Sequence, residues 1–352
     1  MNILVAMSGG VDSSVTAYLM REKYKTCKGA TMLLFLNEAL GVSSKTCCSL
    51  ENISDARKIC ELLGIEHEVL NYMNDFEECV IRKFVNVYEA GGTPNPCIDC
   101  NRKMKFGKFL QHADGNIATG HYARIERDHD KYLLRKAIDL SRDQSYVLYM
   151  LTQEQLARTE FPLGGMKKSD ARDLAEELGF VNARKGDSQD ICFVPDGDYA
   201  SFIETYTGKK YQPGNFISKA GKILGTHNGI IHYTVGQRRG LGIAAKSRLY
   251  ISDINPANNT ITLSDESLLI QTIKATNINL IPFQELPENF QASVKVRYRQ
   301  KELPATINQT GQDELTIEFH DKIKAPAIGQ AAVIYDGDYV IGGGTITAII
   351  NK

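Results

Sequence analysis

Ala6-Met-Ser-Gly-Gly-Val-Asp-Ser13 is the stretch whose reading decides the fold. It follows the apolar run Ile3-Leu-Val-Ala6, which reads as a buried strand, and precedes Val15-Thr-Ala-Tyr-Leu-Met20, which reads as the start of a helix. Ser8 to Ser13 is then a strand-to-helix turn carrying two glycines and two hydroxyls. Glycines let the backbone approach an anion closely, and a helix N-terminus offers unpaired N–H groups and partial positive charge. The pattern is a phosphate cradle. It differs from the Walker loop, which needs Lys-Ser or Lys-Thr after a longer glycine spacing. An ordinary glycine turn is the plainer alternative, and the strand–turn–helix context weighs against it.

Working outward, residues 1–120 alternate between strand-like and helix-like segments. Ala30-Thr-Met-Leu-Leu-Phe-Leu36 is strand-like, and Leu50 to Leu63 places Ile53, Ala56, Ile59, Cys60 and Leu63 at helical spacing before the stop Gly64. His67 to Tyr72 reads as a strand, Phe76 to Tyr88 as a helix, and Ile117-Ala-Thr-Gly120 as a strand end. Repeated strand–helix units predict a parallel sheet covered by helices, with its ligand at the carboxyl ends of the strands. Tyr122–Ile125 and Tyr132–Leu134 predict a hairpin. Residues 143–180 read as mainly helical, with Ser169 capping a helix over Asp170–Leu178 and Gly179 ending it.

Beyond about residue 200 the pattern changes to short β-like segments separated by turn residues. Arg248–Ile251 and Thr260–Leu263 flank a turn at Asn255-Pro-Ala-Asn-Asn259. Ser293–Tyr298, Glu314–Phe319 and Ala332–Tyr335 alternate with period two. The expected organisation is an α/β domain over residues 1–198, a small central β-rich domain over 199–270, and a C-terminal β-barrel over 271–352.

A chain of 352 residues exceeds one typical core, and its 43% hydrophobic and 24% charged content is that of a globular protein. No run is apolar enough to span a membrane, and no signal segment precedes the first strand, so a cytoplasmic location is expected. The formal net charge of −1 gives no global argument for nucleic acid. Residues 1–200 carry 25 Lys and Arg against 29 Asp and Glu, and residues 201–352 carry 16 against 13. RNA binding then has to rest on a local basic face. All eight cysteines, namely Cys27, Cys47, Cys48, Cys60, Cys79, Cys97, Cys100 and Cys192, lie in the first 192 residues. That distribution is unlike a secreted disulfide framework.

Two further stretches carry chemistry. In Thr93-Pro-Asn-Pro-Cys-Ile-Asp-Cys-Asn-Arg-Lys-Met-Lys-Phe106, two prolines pre-set a loop that ends in Cys97 and Cys100. A helix opening at Asn101 puts Cys100 near a helix N-terminus, beside Arg102, Lys103 and Lys105, and each favours the nucleophilic thiolate; Asp99 opposes it. A structural zinc site is the rival for Cys-x-x-Cys, with Cys47-Cys48 or a histidine as the remaining ligands. In Asp187-Ser-Gln-Asp-Ile-Cys-Phe-Val194, Cys192 reads either as a core residue or as a redox partner or sulfur carrier for Cys100.

The opening loop resembles the pyrophosphate loop of enzymes that split ATP between the α- and β-phosphates. Together with Thr93–Phe106, Ala118–Ala123, Ser141–Tyr146, Asp187–Val194, His232–Gly242, Arg297–Gln300 and Gly342–Ile346, it makes the chain resemble the bacterial tRNA-specific 2-thiouridylases over nearly its whole length. The resemblance implies an ATP-pyrophosphatase domain of the adenine nucleotide α-hydrolase-like type. It implies ATP, with Mg²⁺ as counterion, held by Ala6, Met7, Ser8, Gly9, Gly10, Val11, Asp12 and Ser13, with Met32 and Gly120 at the adenosine. It implies Cys192 as the persulfide carrier and Cys100 as the nucleophile that leaves a transient Cys100–Cys192 disulfide. It implies tRNA contacts by Asn95, Pro96, Cys97, His121, Asp143, Gln144, Ser145, Arg297, Tyr298 and Gln330. A persulfide donor or relay protein is the implied partner, and a monomer the simpler oligomeric expectation.

One departure stands out: many family members read Pro-Asn-Pro-Asp where this chain has Pro94-Asn-Pro-Cys97. Cys97 therefore replaces an acid placed against the target base, and also rivals Cys100 as nucleophile. Asn101 and Lys105-Phe106 align in favour of Cys100. Two other functions stay open on the sequence: an amide-forming synthetase with the same loop, and a non-catalytic RNA-binding protein. Gln237, Arg238 and Arg239 form a polar, glycine-flanked loop that reads equally as an RNA contact or a structural turn.

Overall fold

In the computed structural model, the described residues are 2–36, 50–186, 190–194, 196–245, 247–265, 269–324 and 326–350. They form two compact units: residues 1–80 with 97–197 and 338–341, and residues 81–96 with 198–337 and 342–352.

The first unit is built on a parallel sheet. β1 (Asn2–Ala6) leads through the glycine turn into α1 (Val11–Lys23), and β2 (Thr26–Leu33) follows. α2 (Leu50–Leu63) ends at Gly64 in the left-handed region and returns to β3 (Glu66–Asn71). β4 (Asn116–Ala118) adds on the other side of β1, giving the order β3-β2-β1-β4 with a short fifth strand at the β4 edge. The chain goes one way from β1 to β2 and β3, and the other way to β4. The carboxyl end of β1 is therefore the topological switch point where such sheets leave a crevice. Ile3, Val5, Met7, Val15, Ala17 and Met20 bury the β1–α1 face against Ala56, Ile59 and Cys60 of α2.

β2 begins four residues earlier than its apolar run suggests. Cys27 and Lys28 pair with β1 although Lys28 is exposed, because backbone pairing does not require an apolar side chain. The hairpin forms as β5 (Ala123–Asp128) and β6 (Lys131–Lys136). The stretch 143–180 is less helical than its pattern predicts. It breaks into 3₁₀ turns at Ser145–Leu148 and Pro162–Gly165, a short helix at Gln153–Ala157, the sheet's fifth strand β7 (Thr159–Glu160), and a helix over Lys168–Glu177. Ser169 is not the N-cap of that last helix. Lys167 occupies the cap position, and Asp139 Oδ2 accepts from the Lys168 backbone N–H at 3.1 Å, supplying from a distance the oxygen a local cap would give.

The segment with the two prolines opens its helix at Pro96, five residues before Asn101, because proline suits a first helical position. The helix widens to π geometry over Cys100–Phe109 and closes at Leu110–His112. Widening frees carbonyls, and Gln155 Nε2 donates to that of Phe106 at 2.7 Å. At the helix end, Arg158 donates to the carbonyls of Leu110, Ala113 and Gly115 at 2.8–3.3 Å.

In the second unit, β8 (Gly214–Ser218), β9 (Ile223–His227), β10 (Tyr250–Asn255) and β11 (Thr260–Ser264) make a four-stranded sheet in the order β10-β11-β8-β9. The turn at Pro256–Asn259 is as the sequence predicts. The C-terminal strands are β12 (Leu269–Leu280), β13 (Phe290–Lys295), β14 (Leu303–Gly311), β15 (Glu314–Lys324), β16 (Ala331–Asp336) and β17 (Tyr339–Ile350). They run β12-β15-β14-β13-β16-β17, and β17 pairs back onto β12, so the barrel is closed. β13 stops at Lys295, so Arg297 and Tyr298 lie in a turn closed by the Gln300 N–H to the Arg297 carbonyl, not on a strand surface.

Arg158→Met leaves three helix-end carbonyls without their charged donor. We expect a loss of about 2 kcal/mol, since hydrogen bonds to charged groups contribute ~1.5–3 kcal/mol each before relaxation. Urea unfolding should show the midpoint falling at unchanged slope.

Candidate functional site

The glycine turn is shaped by what surrounds it. Gly9 has φ +72°, and a Cβ there would lie 2.3 Å from the Asn52 carbonyl oxygen, so only glycine fits. Its own carbonyl accepts from Asn182 Nδ2 at 3.0 Å and Lys185 Nζ at 3.4 Å. Asn182 also donates to Ser14 Oγ, while its buried Oδ1 has no partner. Ser8 N–H and Ser8 Oγ both reach Ser13 Oγ, at 3.2 and 3.3 Å, and Ser13 Oγ donates to the Gly10 carbonyl at 2.9 Å. The N-cap of α1 is Gly10, with no side-chain capping bond. An uncapped helix of this length at a sheet switch point offers its first N–H groups to an anion, so the residues present fit the phosphates of a nucleotide.

Asp12 is where the surrounding elements converge. Lys168 Nζ lies 2.7 and 2.8 Å from its two carboxylate oxygens, and Tyr122 donates its hydroxyl to Oδ1 at 2.9 Å. The Lys168 side chain is only 8% exposed, and that of Asp12 33%. Gly120, after β4, faces Asp12 so closely that a Cβ would sit 3.0 Å from its backbone. The first turn of α1 and the segment following β4 thus meet across the crevice. Met32, near the end of β2, is half-buried. Sequence reasoning found Asp12 and Gly120 but missed Tyr122, Lys168, Asn182 and Lys185. A lysine one residue before Ser169 in a helical pattern looks like surface charge, and only tertiary structure buries it.

Asp143, Gln144 and Ser145 fasten this neighbourhood. Asp143 Oδ1 accepts from the Ala137 and Ser145 N–H groups, and Oδ2 from Ser145 Oγ at 2.7 Å. Gln144 exchanges two bonds with the Tyr122 backbone, Oε1 accepting at 3.0 Å and N–H donating at 2.8 Å. Ser145 is fully buried. His121 is also buried, between the rings of Phe106 and Phe161 at 5.7 Å, with Nδ1 2.6 Å from Thr119 Oγ1. Burial first, and Lys105 second, hold its basicity well below the ordinary histidine range. The expected RNA contacts at His121 and Ser145 thus fall on side chains that lie inside the fold.

The cysteines separate by environment. Burial pushes the Cys27 thiol up to about 11 and the Cys60 thiol up to about 12, which suits packing and not nucleophilic chemistry. Cys97 is exposed, Cys100 buried and Cys192 half-buried, none of them in a disulfide. Cys100 opens the π segment, one turn into the helix, and the neighbouring Asn101 anchors that segment by donating to the Val147 carbonyl at 2.9 Å. Cys192 stands in a turn next to Phe193, which is buried edge-on against Phe76 at 5.7 Å. Asp187, Ser188 and Gln189 of that motif, and Cys47 and Cys48, lie outside the described residues. Among the described residues no three His, Cys, Asp or Glu side chains cluster as metal ligands.

In the second unit, Gln330 holds the Thr93–Pro94 loop, donating Nε2 to both carbonyls at 3.0 Å. Thr93 N–H bonds the Ile328 carbonyl at 2.8 Å. Asn95 is half-buried and Pro96 buried. Arg297 donates to the Val235 carbonyl at 3.2 Å, and Tyr298 is exposed with Lys295 Nζ 5.7 Å from its ring.

Two outcomes are expected. Lys168→Met strands the Asp12 carboxylate. Full burial would make this cost ~3–5 kcal/mol, and partial exposure of Asp12 lowers the expectation to about 2 kcal/mol. Pairing the change with Asp12→Asn should restore part of the urea midpoint. Separately, His121 stays neutral when folded but protonates when unfolded, so stability is complete above the ordinary histidine value of 6.5 and is lost as pH falls below it. Unfolding midpoints from pH 8 to 5 should show a shallower fall in His121→Gln than in the parent.

A sequence model described as the tRNA methyl transferase HUP domain matches residues 1–196. Models of a tRNA methyl transferase PRC-barrel domain and an aminomethyltransferase beta-barrel domain match residues 200–265 and 270–346. The tRNA-specific 2-thiouridylase MnmA of Clostridioides difficile is 43% identical over 98% of this chain and 97% of its own length. That of Caldanaerobacter subterraneus, MnmA 1, is 44% identical over the same shares. Among solved structures, the U34-tRNA thiolase NcsA of Methanococcus maripaludis matches at 17% identity and TM-score 0.35, over 59% of this chain and 70% of that one. On the identity and coverage of these relatives, this chain belongs to the tRNA-specific 2-thiouridylase family.

Proposed function

We propose that the protein is an ATP-dependent tRNA-uridine 2-sulfurtransferase, making 2-thiouridine at the wobble position of tRNA. The observation that carries this reading is 43% identity over 98% of the chain to a named 2-thiouridylase, and the glycine turn with its tight Gly9 and the Cys100 and Cys192 thiols, neither of them in a disulfide, support it. ATP supplies an adenylyl group that turns the uracil C2 oxygen into a leaving group, with pyrophosphate released. Gly9, Gly10 and the first N–H groups of α1 bind the phosphates, Ser8 and Ser13 fix the turn, and Met32 and Gly120 flank the adenosine. Mg²⁺ would accompany the phosphates as their counterion, the usual way that ion is bound in nucleotide sites. Lys168 keeps Asp12 in position against the turn.

Sulfur then comes from a persulfide on Cys192, loaded by a donor or relay protein. Its terminal sulfur bonds to C2 and AMP departs. The Cys100 thiolate attacks Cys192 Sγ, the persulfide S–S bond breaks with its electron pair left on the sulfur at C2, and a Cys100–Cys192 disulfide remains. A thiol reductant resets it, as a reducing cytoplasm would supply. Gln330 shapes the Thr93–Pro96 loop, which with Cys97 faces the target base in this reading. Asp143, Gln144 and Ser145 support the crevice through Tyr122, and Arg297 and Tyr298 offer RNA a cation and a ring. We assign the catalytic domain to residues 1–198, the central domain to 199–270 and the barrel to 271–352, with the enzyme acting as a monomer.

Incubation with tRNA, ATP and a persulfide donor, followed by nucleoside mass spectrometry, tests the reading. 2-Thiouridine should form with pyrophosphate release. Cys100→Ser and Cys192→Ser should each abolish thiolation while pyrophosphate release persists, and Cys97→Ser should retain thiolation. A methylated nucleoside, an unmodified tRNA, or full single-turnover thiolation by either serine variant with sulfide excluded overturns it.

A further inference from the structure

Charge is segregated along this chain in a way the totals conceal. From Thr205 to Ser252 there are eight Lys and Arg and no Asp or Glu. Two of the eight are neutralised by acids outside that stretch: Lys209 by Glu89 and Lys210 by Glu204, each at 2.8 Å. Among the described residues no ion pair involves Lys222, Arg238, Arg239 or Arg248, and all four are exposed. Arg238 and Arg239 are adjacent at the tip of the loop between the short 3₁₀ turn Ile230–His232 and β10.

That loop is built, not merely exposed. Gly236, Gly240 and Gly242 adopt φ of +86°, +75° and +66°, a left-handed backbone that other residues rarely hold. Gln237 braces it from within, Oε1 accepting from the Thr234 N–H and Nε2 donating to the Arg239 carbonyl, both at 3.0 Å. Two backbone bonds tie it to β10: Gly236 N–H to the Ile251 carbonyl at 2.8 Å, and Ile251 N–H to the Gln237 carbonyl at 3.0 Å. Arg297 adds a third tie at the Val235 carbonyl. A cleft beside it is lined by Arg238, Leu241, Ile243, Ala244 and Leu249. So many backbone constraints on a solvent-facing tip lower the ordering cost of whatever the tip binds. Two neighbouring guanidiniums with no carboxylate partner match phosphate oxygens, which they engage by paired N–H donors.

We propose that the Thr234–Gly242 loop is a sugar–phosphate docking surface for tRNA, contacting the backbone through Arg238 and Arg239 and reading no base. This rests on tRNA being the substrate. Gln237 and Arg297 are positioning residues here: they hold the loop, and the arginines touch the phosphates. Such contacts set affinity and register without sequence information.

Fluorescence-anisotropy titration of the full chain with a tRNA transcript over a range of salt concentrations is the test. Each phosphate neutralised contributes about 0.7–0.9 to the slope of log K against log salt. R238Q/R239Q should lower affinity about tenfold at low salt and reduce that slope by about 1.5, the loss of two phosphate contacts. R238K/R239K should keep the parental slope, because the charge is retained. Gln237→Ala should lower affinity with the slope unchanged. Under saturating tRNA, R238Q/R239Q should thiolate at the parental rate, with the change confined to KM. A parent that binds no tRNA sinks the substrate reading and the loop's role with it. A parent that binds with salt dependence, while R238Q/R239Q matches it in affinity and slope, overturns the docking surface alone, and points to an acidic protein as the occupant.

Discussion

The contact on which the rest of the candidate site depends is the ion pair between Asp12 and Lys168. Taking an ammonium to 8% exposure costs several kcal/mol of lost hydration, and a carboxylate with two close oxygens returns it only if the geometry is tight. Here both oxygens lie within 2.8 Å of Nζ, and Tyr122 satisfies a further lone pair. The partners come from α1, from the segment after β4, and from the helix that starts at Lys168. One electrostatic requirement therefore aligns three elements around the crevice. Asp139 extends the arrangement by holding the Lys168 backbone, and Gln144 by holding that of Tyr122. Gly120 fits this closeness, since a Cβ there would sit 3.0 Å from the Asp12 backbone, whereas Gly9 answers to a different neighbour, the Asn52 carbonyl of α2.

Much of this frame is legible in the sequence, and the parts that are not share a cause. The strand–turn–helix at Ala6–Ser13, the alternation up to residue 120 and the late β-rich pattern report local periodicity, and they appear where expected. β2 was offset because Cys27 and Lys28 pair through their backbones, which hydropathy cannot register. The 143–180 region misled because its apolar spacing serves several short elements that pack in different directions. Ser169 looks like a cap because caps are usually local, whereas Asp139 reaches Lys168 from 29 positions earlier in the chain, beyond the windows of about 11–18 residues in which periodicity is read. Lys168, Asn182 and Lys185 were invisible for the same reason: nothing in their neighbours marks them as buried or as bound to the glycine turn.

The motif residues divide into those that touch and those that hold. Pattern matching treats His121, Asp143, Gln144, Ser145 and Gln330 alike, as substrate contacts. Their hydrogen bonds separate them. Gln330 spends both of its described donor bonds on the Thr93 and Pro94 carbonyls, and Asp143 gives its oxygens to Ala137 and Ser145. His121 is a neutral ring packed between two phenylalanines. A residue can be indispensable to a family pattern because it shapes the loop that meets the substrate. The same logic bears on the Cys-x-x-Cys segment. The exposed thiol is Cys97, and Cys100 is enclosed at the mouth of a π segment, geometry often found where a helix must deform to work.

A net charge of −1 argues against RNA binding only if charge acts as a total. It does not: at physiological ionic strength the screening length is about 8 Å, so a phosphate responds to the side chains within reach and not to the far side of the molecule. The first 200 residues carry 29 acids against 25 bases, while the 48 residues from Thr205 to Ser252 carry eight bases and no acid. An acidic majority elsewhere keeps the protein from binding polyanions indiscriminately, and confines attraction to the faces that remain unpaired. The docking surface proposed for the Thr234–Gly242 loop rests in the same way on where acids are absent more than on how many bases are present. A whole-chain charge count conceals this segment, and a windowed count along the sequence finds it.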